Sequence, residues 1–197
     1  MISERLKKQL DFMLELDRMK NLYRQTYVLH EDRKENDAEH SWHIAVMAFL
    51  LAEYADSEID TFRVMKMLLI HDVVEIDAGD TYCYDEEGYK TKSDREEKSA
   101  QRIFGLLPDD QKQEFYGLWR EFEDGKTNEA KFAGVLDRLQ PILLNYSKDG
   151  LSWREHGIYG EQVLSRTRNT AEISSGLAEV INSVVEDAVK KGWLKIQ

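Results

Sequence analysis

The chain has little of several residues that mark particular classes of protein. Its 197 residues include one cysteine, Cys83, and two prolines. A single cysteine cannot form an internal disulfide, which is typical of a reducing compartment. No apolar run approaches the ~20 residues of a membrane-spanning helix, and the amino-terminal residues alternate charged and apolar side chains. We therefore expect a cytoplasmic protein that does not contact a membrane.

The chain is also short of positive charge. It has 27 lysines and arginines against 38 aspartates and glutamates, a formal net charge of −11. Affinity for nucleic acid depends on Lys and Arg side chains that neutralise phosphates, so binding to a duplex is not expected. A metal ion and one or two arginines can still bind a small phosphorylated substrate.

The pattern of apolar residues predicts an all-α fold. They recur at three- and four-residue spacing through most of the chain, and the length fits one compact helical bundle over residues 1–197. The predicted helices span residues 3–24, 37–54, 60–76, 94–106, 109–122, 128–145 and 169–191. Residues 25–37 and the polar stretch 82–93 are predicted to be loops, and Gly79 to end the third helix. Five apolar residues of the first helix are expected to face the core: Leu6, Leu10, Met13, Leu14 and Met19.

The most informative feature is an adjacent histidine and aspartate, His71 and Asp72, inside an apolar stretch. Burying this pair costs several kcal/mol, roughly, unless something compensates for the lost hydration, and a divalent cation would do so. His40 is expected to face inward from the second helix, and Asp137 lies in a leucine-rich run. We hypothesise a hydrolytic metal centre formed by His40, His71, Asp72 and Asp137. This mixed N/O ligand set suits one divalent ion such as Mn, Co, Fe, Ni, Zn or Mg.

Each of these residues also has a purely structural interpretation. His40 alone is typical of a hydrogen-bonded core histidine, and Asp137 alone could cap a helix or pair with Arg138 or Lys131. His43, one helical turn after His40, is either a further ligand or a supporting residue. The ordered set of four residues favours the metal centre over these alternatives.

The ordered pattern H…HD…D resembles the HD-domain superfamily of metal-dependent phosphohydrolases. The resemblance runs from Arg24 through residues 33–41 and 71–81 to Asp137, and it is greatest to the bacterial 5′-deoxynucleotidase branch. It implies one divalent ion held by the four residues above and hydrolysis of (deoxy)nucleoside 5′-monophosphates to nucleoside and phosphate. A homodimer is expected from the resemblance and from its general frequency among oligomers.

The resemblance also implies roles for residues around the metal. Glu75 and Asp80 are expected near the ion, with Glu75 positioning water or relaying its proton and Asp80 orienting water or a sugar hydroxyl. Arg24 is expected to contact the substrate phosphate. The chain has one residue more than the family pattern between Arg24 and His40, so Arg33 is the alternative for that role. Val135 stands where many relatives carry an acidic residue.

Three other functions compete with phosphomonoester hydrolysis. One is a phosphodiesterase or another phosphate-ester hydrolase, and one is a metal-binding HD module that has lost turnover. Intact Glu75 and Asp80 argue against the second. Di-iron oxygenases and cyclic-dinucleotide hydrolases of the superfamily need further histidines after the HD pair, and no histidine lies between His71 and His156.

Overall fold

A computed structural model describes residues 2–196 as a predominantly helical fold with one small sheet, which confirms the predicted fold class. The helices are α1 (Glu4–Leu16), α2 (Asp37–Leu51), α3 (Thr61–Ile70), α4 (Glu75–Ala78), α5 (Glu86–Phe104), α6 (Asp109–Asp124), α7 (Asn128–Ser147), α8 (Leu151–His156), α9 (Gly160–Thr167) and α10 (Ser175–Lys190). Strands β1 (Tyr23–Tyr27) and β2 (Lys34–Asn36) pair antiparallel between α1 and α2. None of the described helices has the length and apolar character needed to cross a bilayer.

The prediction of a loop over residues 25–37 is wrong, because most of the hairpin lies there. Tyr23 pairs with Asn36 and Tyr27 with Lys34, with an irregular register between the two pairs. Aromatic residues and Thr26 favour a strand in β1, but the short polar β2 carries no recognisable alternation. The predicted first helix is too long for the same reason: α1 ends at Leu16, and Arg24 lies on β1.

Helix α1 packs on a different face from the predicted one. Four of its expected core residues are exposed: Leu6, Leu10, Met13 and Leu14. Met19 is buried as predicted, and Phe12 is the buried residue of α1. The Phe12 ring meets Phe115 of α6 edge-on, with 5.5 Å between centroids. Apolar residues lie on more than one side of α1, so their spacing alone did not identify the packed side.

The predicted helix over residues 60–76 is divided into three pieces. Helix α3 ends at Ile70, His71–Val74 form a 3₁₀ turn, and α4 follows before Gly79. Residues three apart eclipse one another in a 3₁₀ turn, which aligns Asp72 with Glu75. The Ser99 hydroxyl of α5 donates to the Val74 carbonyl and holds the turn in place.

Two hydrophobic clusters meet at this turn. The larger one joins α2, α3, α7 and α10, and it includes Leu68. The smaller one joins the turn to α1, α5 and α6, and it includes Val73. His71 and Asp72 lie between these two residues in the chain, so the junction of the clusters holds them inside the protein.

Helix boundaries in the second half differ from prediction where a capping residue determines them. Helix α5 begins at residue 86 instead of 94, because the Asp85 carboxylate accepts a hydrogen bond from the Gly88 amide. Helix α10 begins at 175 instead of 169, because the Ser174 hydroxyl caps it. Helices α8 and α9 lie in a region for which no helix is predicted, and α7 continues through Pro141.

Gly79 has φ 77° and ψ 144°, a conformation that only glycine adopts readily. We expect Gly79→Ala to lower the free energy of unfolding by about 1–3 kcal/mol. The matched control is Gly117→Ala, in the exposed middle of α6 with no atom near its added Cβ. The free energy of unfolding of that variant should rise by about 0.5–1 kcal/mol, because alanine has a higher helix propensity than glycine. Urea denaturation of both variants measures this contrast, and equal stabilities would contradict it.

Candidate metal centre

Three separate parts of the fold bring the four predicted ligands together. His40 comes from the first turn of α2, His71 and Asp72 from the 3₁₀ turn, and Asp137 from the middle of α7. The side-chain atoms of His40, His71 and Asp72 that can bind a metal lie within 4.8 Å of one another. Asp137 Oδ1 lies 3.0 Å from His40 Nε2 and 3.6 Å from His71 Nε2. The long-range packing that the hypothesis required is present.

The tautomers of the two histidines suit metal binding. His71 Nδ1–H donates to the Leu68 carbonyl at 3.0 Å, and His40 Nδ1–H donates to Gln140 Oε1 at 3.1 Å. Both Nε2 atoms are therefore left to face carboxylate oxygens, and His71 Nε2 is buried with no hydrogen-bond partner among the described residues. A neutral imidazole nitrogen that faces a carboxylate needs a proton or a cation between them. This donor set fits a divalent metal ion, whose identity it leaves undetermined.

A hydrogen-bonded chain of side chains supports His40 from behind. Gln140 Nε2 donates to Glu35 Oε1 at 2.6 Å and lies 3.2 Å from His43 Nδ1, which fixes the orientation of the amide. Burial raises the pKa of Glu35 to about 7. His43 thus contacts Gln140 instead of the cluster, which fits a supporting role better than that of a ligand. Lys131, a possible partner for Asp137, pairs with Glu172.

Arg24 lies between two buried carboxylates next to the cluster. Its Nη1 is 2.7 Å from Asp72 Oδ2 and 3.3 Å from Asp37 Oδ1. Asp37, Asp72 and Glu75 form a second group whose oxygens lie within 4.8 Å of one another. Burial lowers the pKa of Arg24, but the surrounding carboxylates outweigh it and raise the pKa well above its ordinary value. Arg24 is therefore a permanent cation that neutralises part of this acidic group.

Burial has the opposite effect on the acids of this group. It raises the pKa of Glu75 well above its ordinary value, and the charges of Asp72 and Asp37 raise it further. Burial also raises the pKa of Asp80, against the influence of Arg24. Glu75 Oε2 is buried without a hydrogen-bond partner among the described residues. A carboxyl group in this environment holds a proton more readily than one in water.

A pocket opens beside the cluster. Arg24, Asp80 and Asp137 line one part of it, and side chains from β1, α7, α8, α9 and the loop before α5 complete its walls. Arg33 lies outside this pocket. Its side chain is 44% exposed, and its guanidinium is paired with Glu39 at 2.7 Å and Glu31 at 2.8 Å. Of the two arginines considered for the phosphate, only Arg24 reaches both the pocket and the cluster.

A model of the HD domain matches residues 16–178. The chain belongs to the HD-domain family. It is similar in structure to a predicted metal-dependent phosphohydrolase from Magnetospirillum magnetotacticum, with 48% identity, a TM-score of 0.93, and coverage of 98% of this chain and 99% of that one. An HD-domain phosphohydrolase from Listeria innocua, at 18% identity and a TM-score of 0.70 over 94% of this chain and 92% of that one, shares the fold.

Curated relatives of this HD domain are more distant in sequence. The human 5′-deoxynucleotidase HDDC2 is 33% identical over 68% of this chain and 65% of its own length. The 5′-deoxynucleotidase hdd1 of Schizosaccharomyces pombe is 26% identical over 91% of this chain and 83% of its own length. The chain therefore spans slightly less than two thirds of the human relative.

Two residues at the centre of this HD domain were not identified from the sequence. Asn36 caps α2 and Glu39 completes a capping box, so the Asp37 carboxylate takes no part in the cap and joins the buried acids. The N-x-x-E spacing of Asn36 and Glu39 was the available signal. No sequence signal identified Gln140, because a single glutamine in an apolar helix has many structural uses.

Proton release is expected when a divalent cation enters this HD-domain cluster. Burial lowers the pKa of His71, but Asp72 and Asp137 outweigh it and raise the pKa to about 9 in the metal-free protein. Below that pH a cation must displace the His71 proton, so its apparent affinity should fall about tenfold per unit of falling pH. Calorimetric titration with Mn²⁺ at pH 8, in buffers of different ionisation enthalpy, measures the released proton.

The matched variants are His71→Gln and His30→Gln. The first should bind Mn²⁺ more weakly and release about one proton fewer, while the second changes an exposed histidine and should behave as wild type. Equal proton release by all three proteins would contradict the assignment of the proton to His71.

Proposed function

We propose that this HD-domain protein is a metal-dependent phosphomonoesterase that hydrolyses (deoxy)nucleoside 5′-monophosphates to nucleoside and phosphate. The observation that carries the proposal is the convergence of the Nε2 atoms of His40 and His71 with Asp72 and Asp137, next to Arg24 and a pocket. The names of the human and yeast relatives support this substrate class. We infer that residues 1–197 form one such domain, and the cytoplasmic location stays a prediction from the sequence.

The proposed metal ligands are His40, His71, Asp72 and Asp137. When bound, the divalent cation lowers the pKa of a coordinated water and polarises a phosphoryl oxygen. The protein fixes the ligands in advance: the Leu68 carbonyl orients His71, and Gln140 orients His40. Such preorganisation avoids the reorganisation of side chains during the reaction.

Glu75 is the proposed acid–base residue. Its aligned position next to Asp72 brings its carboxylate to the edge of the cluster. The raised pKa makes Glu75 a stronger base toward the attacking water, and the proton can be held on Oε2, which has no hydrogen-bond partner among the described residues. General acid–base catalysis of this kind contributes about 10²–10⁴-fold to a rate.

Arg24 and Asp80 are the proposed substrate-binding residues on the pocket side. The ion pairs of Arg24 with Asp72 and Asp37 hold its guanidinium in one orientation, ready for a phosphate oxygen. Asp80 follows the positive-φ Gly79 and lines the pocket, where its carboxylate can accept a hydrogen bond from water or a sugar hydroxyl. Arg33 is not included, since Glu31 and Glu39 already bind it.

A panel of ribo- and deoxyribonucleoside monophosphates, assayed for phosphate release with Mn²⁺ or Co²⁺, tests the function. We expect release from at least one nucleotide and a 10²–10⁴-fold lower kcat in Glu75→Gln. Release only from phosphodiesters would indicate the alternative hydrolase. Metal binding with no release from any ester would indicate a binding module without turnover.

The stability of Glu75→Gln separates a catalytic loss from unfolding. A folded-state pKa above the unfolded value means that Glu75 destabilises the fold increasingly as the pH rises from its unfolded pKa to its folded one. The metal-free variant should therefore have a higher Tm than wild type at pH 7.5, and the difference should disappear at pH 4.

We also propose that two copies of the chain associate through the outer face of α2 and α3. Four apolar residues on α2 follow a helical stripe and are exposed: Trp42, Val46, Phe49 and Leu50. Phe62 and Leu69 of the neighbouring α3 are exposed as well. With a net charge of −11, two chains repel each other over most of their surface, so an uncharged stripe is the favourable place for contact.

The double variant Trp42→Glu, Phe49→Glu should be a monomer in light-scattering measurements in which the wild type is a dimer, because each substitution buries an unpaired charge in the interface. Leu14→Glu, on the exposed side of α1, is the control and should leave the dimer intact. A wild-type monomer at micromolar concentrations, or a dimeric double variant, would refute the proposed interface.

A further inference from the structure

The pocket beside the metal centre contains two arginines that the proposed reaction does not use. Arg138 lies on α7 directly after Asp137, and Arg166 lies on α9. Further along α7 the lining becomes neutral, with Pro141, Ile142 and Asn145. The charged end of the pocket is therefore the end next to Asp137.

The arginines of this pocket differ in how their charge is matched. Arg24 has two carboxylate partners, as described above. Arg166 donates to the Cys83 carbonyl at 2.7 Å and to the Tyr89 hydroxyl at 3.0 Å. Arg138 forms no hydrogen bond or ion pair with the described side chains, which do not include that of Glu86, and its Nε is buried without a partner among them. A largely buried guanidinium in this state is costly unless a ligand completes its hydrogen bonds.

The local fold makes room for the Arg138 guanidinium. Gly134, one helical turn earlier, is buried in α7, and a Cβ added to it would lie 3.2 Å and 3.3 Å from the two Nη atoms of Arg138. Glycine inside a helix costs about 0.5–1 kcal/mol relative to alanine. At this position its missing side chain lets Arg138 fold back along α7, away from the neutral end of the pocket.

The electrostatic surroundings of Arg138 favour an anionic ligand. Arg166 adds a second positive charge to the same pocket lining. The Asp137 carboxylate faces His40 Nε2 at 3.0 Å and makes no ion pair with Arg138. Among the described side chains, no carboxylate pairs with Arg138.

We propose that Arg138 is a substrate-binding residue whose guanidinium donates to an oxygen of the phosphate group, while the neutral end of the pocket receives the nucleoside. The proposal rests on the phosphatase function argued above, because it assigns the phosphate to the end of the pocket next to Asp137. Two cations, Arg24 and Arg138, then contact the phosphate from β1 and from α7.

Binding of inorganic phosphate to the Mn²⁺-loaded protein tests this proposal without any turnover. Arg138→Gln should weaken phosphate binding about 10- to 100-fold, as expected for loss of hydrogen bonds between charged groups, and leave Mn²⁺ affinity within about twofold of wild type. Arg120→Gln removes the same charge from an exposed position on α6 and is the matched control. It should change phosphate affinity by less than about twofold.

Two further measurements separate ligand binding from a structural role. Because Arg138 has no partner among the described side chains, Arg138→Gln should keep or raise the Tm, whereas loss of a structural contact would lower it. Gly134→Ala keeps every charge but crowds the guanidinium, and should also weaken phosphate binding.

Unchanged phosphate affinity in both Arg138→Gln and Gly134→Ala would overturn the proposal. If phosphate affinity depends on Arg138 but no nucleotide is hydrolysed, the proposed function fails and the binding role of Arg138 stands. If nucleotides are hydrolysed and Arg138→Gln leaves both KM and phosphate affinity unchanged, the function stands and the role of Arg138 fails.

Discussion

Arg24 lies between Asp72 and Asp37, and the arrangement of buried charge in this protein depends on that contact. Glu75 completes a group of three acids that would repel one another strongly in a low-dielectric interior. One guanidinium offsets part of this repulsion. The remaining excess of negative charge would favour a divalent cation beside the neighbouring histidines. Stability and metal affinity therefore impose opposite demands on the same few side chains.

The chemistry of the centre was easier to predict from the sequence than its supporting structure. His40, His71, Asp72 and Asp137 stand out because polar residues in apolar runs require an explanation, and the fold brings all four together. The helical class followed from periodicity. The 3₁₀ turn at His71 did not, because a short change of helix type leaves no pattern in a stretch of apolar residues.

The residues that the sequence did not identify owe their positions to long-range packing. Gln140 donates a hydrogen bond to Glu35 of β2, more than a hundred residues away in the chain, and neither segment has a sequence pattern that predicts this contact. The outer face of α1 was assigned to the core because leucines there are indistinguishable from buried ones. The role of Gly134 is apparent only from the structure, in which the Arg138 side chain folds over it.

The hairpin of β1 and β2 is small, but its two strands carry different parts of the centre. Arg24 lies on β1, and Glu35, which orients Gln140 behind His40, lies on β2. An isolated two-stranded hairpin is marginally stable in water, so this one depends on those anchors. Fraying of the two strands would displace Arg24 and remove the support of His40 in a single event, while the helices stay folded. The proposed activity is therefore linked to one of the shortest elements of the chain.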